Sequence, residues 1–168
     1  MTDAELEDLS RTLGELLTRR GWTLASAESC TGGWLAKVVT DIAGSSQWFE
    51  RGLVTYSNEA KQDLVGVSAA TLNEHGAVSE ATVQEMARGA LSHSRADISV
   101  AISGVAGPGG GSADKPVGTV WFAWGRRDGR LLRLLSERRQ LPGGRSEVRR
   151  RAVAHALAGL IELAGGDE

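Results

Sequence analysis

The amino-acid sequence predicts an α/β fold, a three-layer α/β/α sandwich built on a mixed, mainly parallel sheet. Buried-strand patterns alternate with helical patterns along the chain, which is typical of a sheet covered by helices on both faces. An apolar run over residues 22–27 passes through a turn of small residues into a helical pattern. The Asp128-Gly129 pair marks a tight hairpin turn, so the end of the sheet is predicted to be antiparallel.

The first element is predicted to be a helix that begins after Thr2 and ends at Gly21. Thr2 is a suitable N-cap because Glu5 stands at the reciprocal capping-box position, and Gly21 suits the C-terminal stop. Helical spacing brings five leucines to one face, which we expect to pack on the sheet: Leu6, Leu9, Leu13, Leu16 and Leu17. The strand over residues 22–27 follows, and then a helix that ends at Gly44.

The middle of the chain is predicted from strand formers, serine caps and glycine stops. Residues 51–56 favour a strand because they include Leu53, Val54 and Tyr56. Three serines, each followed by a helical pattern, suit the N-cap position: Ser57, Ser68 and Ser79. The first of these helices stops at Gly66, and the third has an apolar face formed by Val83, Met86, Ala87, Ala90 and Leu91.

The last part of the chain is predicted to contain three strands and a helix. Residues 97–103 read as a buried strand, and strands over residues 117–124 and 131–140 pair as a hairpin. The second arm is expected at an edge of the sheet, where three arginines are solvated: Arg133, Arg138 and Arg139. Ser146 is predicted to cap the final helix, whose apolar face is formed by Val153, Ala156, Leu157, Leu160 and Ile161.

Length and composition indicate one globular domain over residues 1–168. Hydrophobic residues are 41% and charged residues 24%, which is usual for a globular protein with a sizeable core. A net charge of −2 argues against an extended basic surface for nucleic acid. The single cysteine excludes an internal disulfide, and the histidines lack zinc-ligand spacing, so we predict no metal and no cofactor. Signal-peptide and membrane-spanning patterns are absent, so we expect a cytoplasmic protein with no membrane partner.

The turn after the first strand concentrates reactive side chains at a helix N-terminus. Ser29, Cys30 and Thr31 place two hydroxyls and a thiol where helical N–H groups have no intrahelical partners. Gly32 and Gly33 allow a ligand to approach the backbone closely. We interpret this turn as the active site, with Ser29 as the candidate nucleophile. On this stretch alone, an ordinary helix opened by a serine or threonine N-cap has equal weight.

A second glycine-rich segment, residues 104–112, follows the strand over residues 97–103. It has neither the Gly-Lys-Ser/Thr ending of a Walker A loop nor the helix and acidic residue of a dinucleotide-binding fingerprint. Its backbone N–H groups suit a phosphate or a carboxylate, and the alternative is a flexible surface loop. Ligands of open α/β sheets bind beyond the carboxyl ends of strands, so both segments are expected to face one pocket. The loop residues that we assign to substrate binding are Gly104, Val105, Ala106, Gly107 and Gly109.

A serine nucleophile needs a base, and here lysine is a better candidate than histidine. None of the three histidines stands at the tip of a predicted strand: His75, His93 and His155. Lysine can act as a base when burial or nearby positive charge lowers its pKa. Lys61 follows Tyr56 at a strand-to-helix turn near the same sheet edge as Ser29, so a Ser29–Tyr56–Lys61 relay is geometrically feasible. Spacing alone also fits a solvated lysine and a packed tyrosine.

Three further side chains are assigned to the site, each with an alternative. Glu28 orients a hydrogen-bond donor or pairs with Lys61, or else it is a surface carboxylate. Cys30 is an alternative nucleophile, because a helix N-terminus lowers a thiol pKa, or else a buried cysteine without a chemical role. Arg145, at a helix start after two glycines, holds an anion or is simply solvated.

Three ordered motifs resemble the CinA C-terminal domain family over nearly the whole chain. They are AESCTGG at residues 27–33, GLVTYSN at 52–58 with Lys61, and SGVAGP at 103–108 with KPVGTV at 115–120. The resemblance implies hydrolysis of the carboxamide of nicotinamide mononucleotide, giving nicotinate mononucleotide and ammonia. It also implies a nucleophile at the serine of the first motif, with the tyrosine of the second motif and the lysine as activating partners, and no metal.

Two positions depart from the family pattern, and one domain is missing. The family often has Gly-Asp-Arg before the last helix, where this chain has Gly143-Gly144-Arg145, so only Arg145 is carried over. Isoleucine or threonine is frequent at the position of Val105, which cannot donate the hydrogen bond that a threonine could. The chain resembles the single-domain members, which lack a molybdopterin-binding-like N-terminal domain.

The sequence therefore predicts acyl transfer through Ser29, with a neutral Lys61 taking the proton directly or through Tyr56. Backbone N–H groups over residues 30–32 are expected to hold the oxyanion, and the nucleotide phosphate to rest on glycine-rich backbone or Arg145. The alternative function is a non-catalytic nucleotide-binding or regulatory module related to competence or damage. A homodimer or a higher homo-oligomer is left open, since five tryptophans suit either an exposed apolar patch or the core.

Overall fold

The computed structural model describes residues 1–166. The helices are α1 (Asp3–Arg20), α2 (Trp34–Thr40), α3 (Asn58–Val65), α4 (Ala69–His75), α5 (Glu80–Ser92) and α6 (Arg145–Gly165). The strands are β1 (Leu24–Glu28), β2 (Phe49–Val54), β3 (Ile98–Gly104), β4 (Thr119–Asp128) and β5 (Leu131–Gln140). A short 3-10 helix covers Ser45–Gln47. None of the helices in this part of the chain combines the length and apolarity needed to cross a membrane.

The strands form one mixed sheet in the order β2-β1-β3-β4-β5. β1 pairs in parallel with β2 and β3, whereas β4 is antiparallel to β3 and β5, so every strand except β4 runs in the same direction. The hairpin is confirmed, because Asp128 pairs with Leu131 and Gly129 has the positive φ, 65°, that a two-residue hairpin turn needs. β5 lies at the edge of the sheet, as predicted.

Helices cover both faces of this sheet, which confirms the three-layer α/β/α sandwich. On one face, α1, α2 and α6 pack against large strand side chains such as Leu24, Ile98 and Phe122. On the other face, α3, α4 and α5 pack over smaller ones such as Ala27 and Ala101. The residues predicted to face inward on α5 are all fully buried: Val83, Met86, Ala87, Ala90 and Leu91.

Local capping interactions set most helix ends where the sequence predicts them. The Thr2 hydroxyl accepts from the Glu5 N–H at 3.2 Å, and the Glu5 carboxylate accepts from the Thr2 N–H at 2.6 Å. Gly21 closes α1 with φ 68°. The three predicted serine caps are confirmed, because each hydroxyl accepts the N–H three residues further on: Ser57, Ser68 and Ser79.

One strand boundary differs from the prediction and moves a candidate site residue. β2 covers Phe49–Val54 rather than residues 51–56. The reason is its parallel partner β1, which ends at Glu28, the residue in register with Val54. Tyr56 therefore lies beyond the strand, in the segment that leads to α3.

Two helix boundaries also differ. α2 ends at Thr40, and Gly44, where the helix was predicted to end, instead precedes the 3-10 helix with φ 86°. The prediction that Ser146 caps α6 is wrong. The cap residue is Gly144, whose backbone is extended and whose carbonyl accepts the first helical hydrogen bond, from the Val148 N–H at 2.9 Å.

The topology brings the carboxyl ends of three parallel strands to one edge of the sheet. The Ser29 N–H, just beyond β1, donates to the Ile102 carbonyl of β3 at 2.9 Å. The Thr55 N–H, just beyond β2, donates to the Glu28 carbonyl at 2.8 Å. The segments that follow β1, β2 and β3 therefore lie side by side, where ligands bind in open α/β sheets.

Candidate active site

The segment after β1 is a tight turn that presents Ser29 at the sheet edge. The Gly32 N–H donates to the Ser29 carbonyl at 3.0 Å, and Gly32 and Gly33 have φ of 59° and 100°. Gly33, not a hydroxyl residue, occupies the N-cap position of α2, and it makes no side-chain capping bond. The interpretation of Ser29 as an ordinary helix cap is therefore wrong, and its hydroxyl has another partner.

That partner is the Lys61 amine. Lys61 lies on α3, its side chain is 1% exposed, and its Nζ stands 2.9 Å from Ser29 Oγ. The same Nζ lies 2.8 Å from the Thr55 carbonyl oxygen and 3.3 Å from the Tyr56 carbonyl oxygen. Burial holds the pKa of Lys61 below the usual lysine range, because the charged form loses its hydration. The alternative of a solvated surface lysine is wrong.

The three neighbours of Lys61 Nζ suit a neutral amine that acts as a base. An uncharged amine has two N–H donors and one lone pair. If the two carbonyl groups of Thr55 and Tyr56 accept the N–H donors, the lone pair remains for the Ser29 O–H. The contacts therefore allow direct proton transfer from Ser29 to Lys61.

Tyr56 takes a different place from the one that a relay requires. Its side chain is 61% exposed, and its hydroxyl accepts a long hydrogen bond, 3.5 Å, from Arg145 Nη2. Within residues 1–166, the phenol bonds neither Ser29 nor Lys61. Tyr56 contributes its backbone carbonyl to the lysine, and the direct route from Ser29 to Lys61 needs no phenol.

Glu28 is 1% exposed and holds the start of α2 instead of lining the site. Its carboxylate accepts from the Thr31 hydroxyl at 2.6 Å, the Leu35 N–H at 2.9 Å and the Ala36 N–H at 3.0 Å. The structure contains no ion pair between Glu28 and Lys61 in its described part. Both alternatives, pairing with Lys61 and a place on the surface, are wrong. The carboxylate instead caps helical N–H groups that receive no side-chain cap from Gly33.

Cys30 is buried, with 7% of its surface exposed. Burial, with a smaller contribution from the nearby Glu28 carboxylate, raises the pKa of its thiol to about 11. The expected lowering by the helix N-terminus is therefore outweighed, and the thiol stays protonated at neutral pH. The structure favours Ser29 over Cys30 as the nucleophile.

Arg149 on α6 is a residue of this region that sequence reasoning missed. Its Nε donates to the Cys30 carbonyl at 3.0 Å and its Nη2 to the Thr31 carbonyl at 3.2 Å. A signal was present, since Arg149 lies four residues after Arg145 and therefore on the same helical face. Because these two contacts join parts of the chain that are 118 and 119 residues apart, only the packing of α6 reveals them.

A cavity of about 350 Å³ opens in front of Ser29 and Lys61. The candidate residues that line it are Ser29, Cys30, Tyr56, Lys61, Gly104, Val105, Ala106, Gly107, Gly109 and Arg145. Both glycine-rich segments contribute to this cavity, as expected from the topology. Glu28, Thr31, Gly32 and Gly33 lie behind its wall. A larger groove of about 710 Å³ runs between β5 and α6 and contains none of the candidate residues.

The loop over residues 104–112 is fixed at its ends and open in the middle. The Val105 N–H donates to the Thr119 carbonyl at 2.8 Å, and the Ser112 N–H to the Lys115 carbonyl at 3.0 Å. Between them, Arg145 Nη1 donates to the Gly107 carbonyl at 2.7 Å. Five intervening N–H groups have no acceptor among residues 1–166: those of Ala106, Gly107, Gly109, Gly110 and Gly111. Such free donors suit an anionic ligand.

The turn over residues 29–32 has two free N–H groups as well. The N–H groups of Cys30 and Thr31 have no acceptor in the described part of the chain, whereas the Gly32 N–H is used by the Ser29 carbonyl. The predicted oxyanion donors at 30–32 are thereby reduced to one, Cys30, because Thr31 is fully buried and does not line the cavity. In the same part of the chain, no three acidic, cysteine or histidine side chains cluster as metal ligands would.

The comparisons with known proteins agree on one family. The model of the CinA C-terminal domain matches residues 6–164. A nicotinamide-nucleotide amidohydrolase PncC from Escherichia coli (strain K12) is 59% identical over 94% of this chain and 93% of its own length. A protein of the same name from Pseudomonas putida is 52% identical over 92% and 94%. The crystal structure of competence/damage inducible protein CihA from Agrobacterium tumefaciens superposes with a TM-score of 0.90, at 48% identity and 95% coverage of both chains.

Proposed function

This chain belongs to the CinA C-terminal domain family, and we infer that it is a nicotinamide-nucleotide amidohydrolase. Relatives that carry this name are 52–59% identical over nearly their full length. The observation in the molecule that supports the activity best is the buried amine of Lys61 at 2.9 Å from Ser29 Oγ. A lysine base beside a serine is an arrangement for attack on an acyl carbon.

In the proposed acylation step, Ser29 Oγ attacks the carboxamide carbon of nicotinamide mononucleotide. Its proton passes to the Lys61 amine, which becomes an ammonium between two carbonyl oxygens. The tetrahedral intermediate collapses when Lys61 returns that proton to the leaving nitrogen. Ammonia departs, an ester to Ser29 remains, and Lys61 is neutral again.

In the proposed deacylation step, a water molecule attacks the ester carbon in the place that ammonia has left. Lys61 takes the proton of the water and then gives it to Ser29 Oγ as the ester bond breaks. The products are nicotinate mononucleotide and the free serine. Each half-reaction uses the same amine first as a base and then as an acid, and the protons balance without another titrating group.

The oxyanion of both tetrahedral intermediates would be held by the free N–H group of Cys30, which lines the cavity beside Ser29. Removing one such donor from comparable sites costs about 3–4 kcal/mol of transition-state stabilisation. The nucleotide phosphate would bind the free N–H groups of the loop at 106–110 and the Arg145 guanidinium, which is exposed at the cavity rim. Free backbone donors and an arginine are both common phosphate ligands.

The decisive experiment is ammonia release from nicotinamide mononucleotide by the wild type and by Ser29→Ala. We expect turnover by the wild type and a loss of at least about 10⁴-fold in the variant, as with other serine nucleophiles. Cys30→Ser is the control, and it should keep turnover. Full turnover by Ser29→Ala would contradict the nucleophile assignment.

An inactive wild type that still binds the nucleotide would favour the alternative, a regulatory nucleotide-binding module. Calorimetry with nicotinate mononucleotide on the wild type and Ser29→Ala would measure that binding, which the module predicts to be equal in both. The cytoplasmic location and the homo-oligomeric state stay predictions from the sequence.

A further inference from the structure

The geometry points to the Ser103 hydroxyl as a second donor to the oxyanion, beside the Cys30 N–H. The inference rests on the proposed function, because it concerns the same nucleophile and the same intermediate. Ser103 lies one residue before the end of β3 and lines the cavity in front of Ser29 and Lys61.

Ser103 and Ser29 stand side by side at the ends of neighbouring parallel strands. β1 and β3 pair with Ala27 opposite Ala101, and the Ser29 N–H continues this ladder to a carbonyl of β3 at 2.9 Å. The same register brings Ser29 opposite Ser103, at the strand spacing of about 4.8 Å. Side chains two residues apart share one face of a sheet, so both serines lie on the face of Ala27 and Ala101. Lys61, which contacts Ser29 Oγ, approaches from the helices that cover this face.

The Ser103 hydroxyl is an unused donor that opens into the cavity. The residue is 1% exposed, and its hydroxyl forms no hydrogen bond within residues 1–166. In the same part of the chain, the serine oxygens that are both unpartnered and sealed from solvent are those of Ser10 and Ser26. Because Ser103 Oγ is unpartnered but not sealed, it contributes to the small exposed surface of the residue, at the cavity wall. A buried hydroxyl without a partner calls for a ligand that supplies one.

A second oxyanion donor is needed, and the position of Ser103 suits it. In many hydrolases with a nucleophile at a strand-to-helix turn, one donor is the N–H of the next residue and the other comes from the end of another strand. Cys30 follows Ser29 directly, and Ser103 stands near the end of the adjacent strand. The Lys61 amine is unsuitable, because its two N–H groups face backbone carbonyls and its lone pair faces Ser29. The Ser103 O–H can rotate toward the oxyanion.

Ser99 provides a matched control on the same strand and the same face. It lies four residues before Ser103, is fully buried, and donates to the Ala87 carbonyl of α5 at 2.9 Å. Ser99 does not line the cavity. The two serines therefore share a strand, a face and deep burial, but only the Ser103 hydroxyl is left for a ligand.

The experiment measures kcat and KM for nicotinamide mononucleotide, and urea denaturation, on Ser103→Ala and Ser99→Ala in the full chain. We expect Ser103→Ala to lower kcat about 10²- to 10³-fold with KM within about threefold, because the donor acts on charge that develops in the transition state. Its urea midpoint should not fall, because no hydrogen bond within the protein is lost. Ser99→Ala should show the reverse, a lower urea midpoint with the wild-type kcat.

A second pair of variants isolates the hydroxyl from the volume of the side chain. Threonine and valine have nearly the same shape and differ in the hydroxyl. Ser103→Thr should therefore exceed Ser103→Val in kcat by at least about tenfold, and this pair decides the question if Ser103→Ala does not fold. Equal kcat values within the pair, or a wild-type kcat in Ser103→Ala, would overturn the inference and favour a backbone donor such as the Ala106 N–H. A rise in KM at unchanged kcat would also overturn it.

Acylation by p-nitrophenyl acetate separates the oxyanion from the leaving group. This ester forms the same oxyanion, but its leaving group departs without a proton. Slower Ser29-dependent acylation in Ser103→Ala would support the donor role, whereas an effect confined to the nucleotide would overturn it and make Ser103 a proton relay to the leaving nitrogen. If the wild type does not deamidate the nucleotide, but this acylation slows in Ser103→Ala, the proposed function fails and the role of Ser103 stands.

Discussion

The two glycine-rich segments at the sheet edge are held in opposite ways. The turn over residues 29–33 is fixed from behind by two charged side chains, the Glu28 carboxylate and the Arg149 guanidinium, and by its own hydrogen bond. The loop over residues 104–112 has its ends fixed, and Arg145 is its one side-chain partner between them within residues 1–166. Its central N–H groups have no acceptor in that part of the chain.

This difference follows the work that we assign to each segment. The atoms that make and break bonds must stay within a fraction of an ångström, so the turn with the nucleophile is fixed by buried hydrogen bonds. A phosphate lies far from the reacting carbon. Its donors must be accessible, but they need not be held in exact positions. Glycine-rich sequence alone does not distinguish the two, because both segments contain glycines with positive φ, such as Gly32 and Gly107.

The largest expected effect comes from removing the base next to the rigid turn. Lys61→Met should lower kcat by at least about 10³-fold, while Lys37→Met, at an exposed lysine paired with Asp41, should be neutral. Ser29 and Lys61 act as one unit, so the double variant Ser29→Ala with Lys61→Met should be no worse than the worse single variant. Additive losses would contradict a shared step.

The pH dependence of Lys61 follows from the direction of its pKa. Because only the neutral amine is a base, kcat/KM should rise with pH along a limb whose midpoint lies below the ordinary lysine value of about 10.4.

The same lowered pKa makes stability depend on pH. The pKa of Lys61 is lower in the folded than in the unfolded state, so protonation of Lys61 destabilises the folded wild type. Its free energy of unfolding should rise relative to Lys61→Met between the folded and unfolded pKa values. A difference that does not vary with pH in that window would contradict the lowered pKa.

The next effect tests how the rigid turn is fixed. Glu28→Gln replaces one accepting oxygen with an NH₂ group that faces a backbone donor, and this should cost about 1–3 kcal/mol of unfolding free energy. Glu59→Gln, at an exposed carboxylate in the first turn of α3, should cost less than about 1 kcal/mol. Urea denaturation measures both. Equal costs would mean that the buried hydrogen bonds of Glu28 add nothing beyond its charge.

A smaller effect, confined to binding, is expected at the open loop. Arg145→Ala should raise KM about 10- to 100-fold with kcat within a few-fold, because a charge-assisted contact to the phosphate is lost. Arg138→Ala is the control, since Arg138 binds the Asp114 carbonyl beyond the loop and does not line the cavity. Steady-state kinetics on both variants would separate the roles. A fall in kcat alone would place Arg145 in the chemical step.

The smallest effect is expected from Tyr56→Phe. Its hydroxyl has one long hydrogen bond, to Arg145, and its carbonyl, which contacts Lys61, is kept in the variant. Turnover should fall less than about threefold, since a single weak bond at an exposed site contributes little. A loss as large as that of Lys61→Met would restore the relay through the phenol.

Sequence alone determined the features that depend on neighbours within a few residues. The capping box of Thr2, the serine caps of α3, α4 and α5, and the hairpin at Asp128-Gly129 were predicted because each is a local interaction. Apolar periodicity gave the inward faces and hence the layers. Ser146 failed as a cap because the extended backbone of Gly144 starts the helix two residues earlier than the side-chain signal does.

Only the tertiary structure decided which side chains meet. The motif resemblance nominated Ser29 and Lys61, but their 2.9 Å contact spans 32 residues and depends on the parallel register of β1 and β2. Likewise, Glu28 binds the start of α2 seven residues further on, and the packing of α6 brings Arg149 to the turn across 119 residues. Contacts at such separations follow from how the layers assemble, and burial in those layers, not spacing, lowers the pKa of Lys61 and raises that of Cys30.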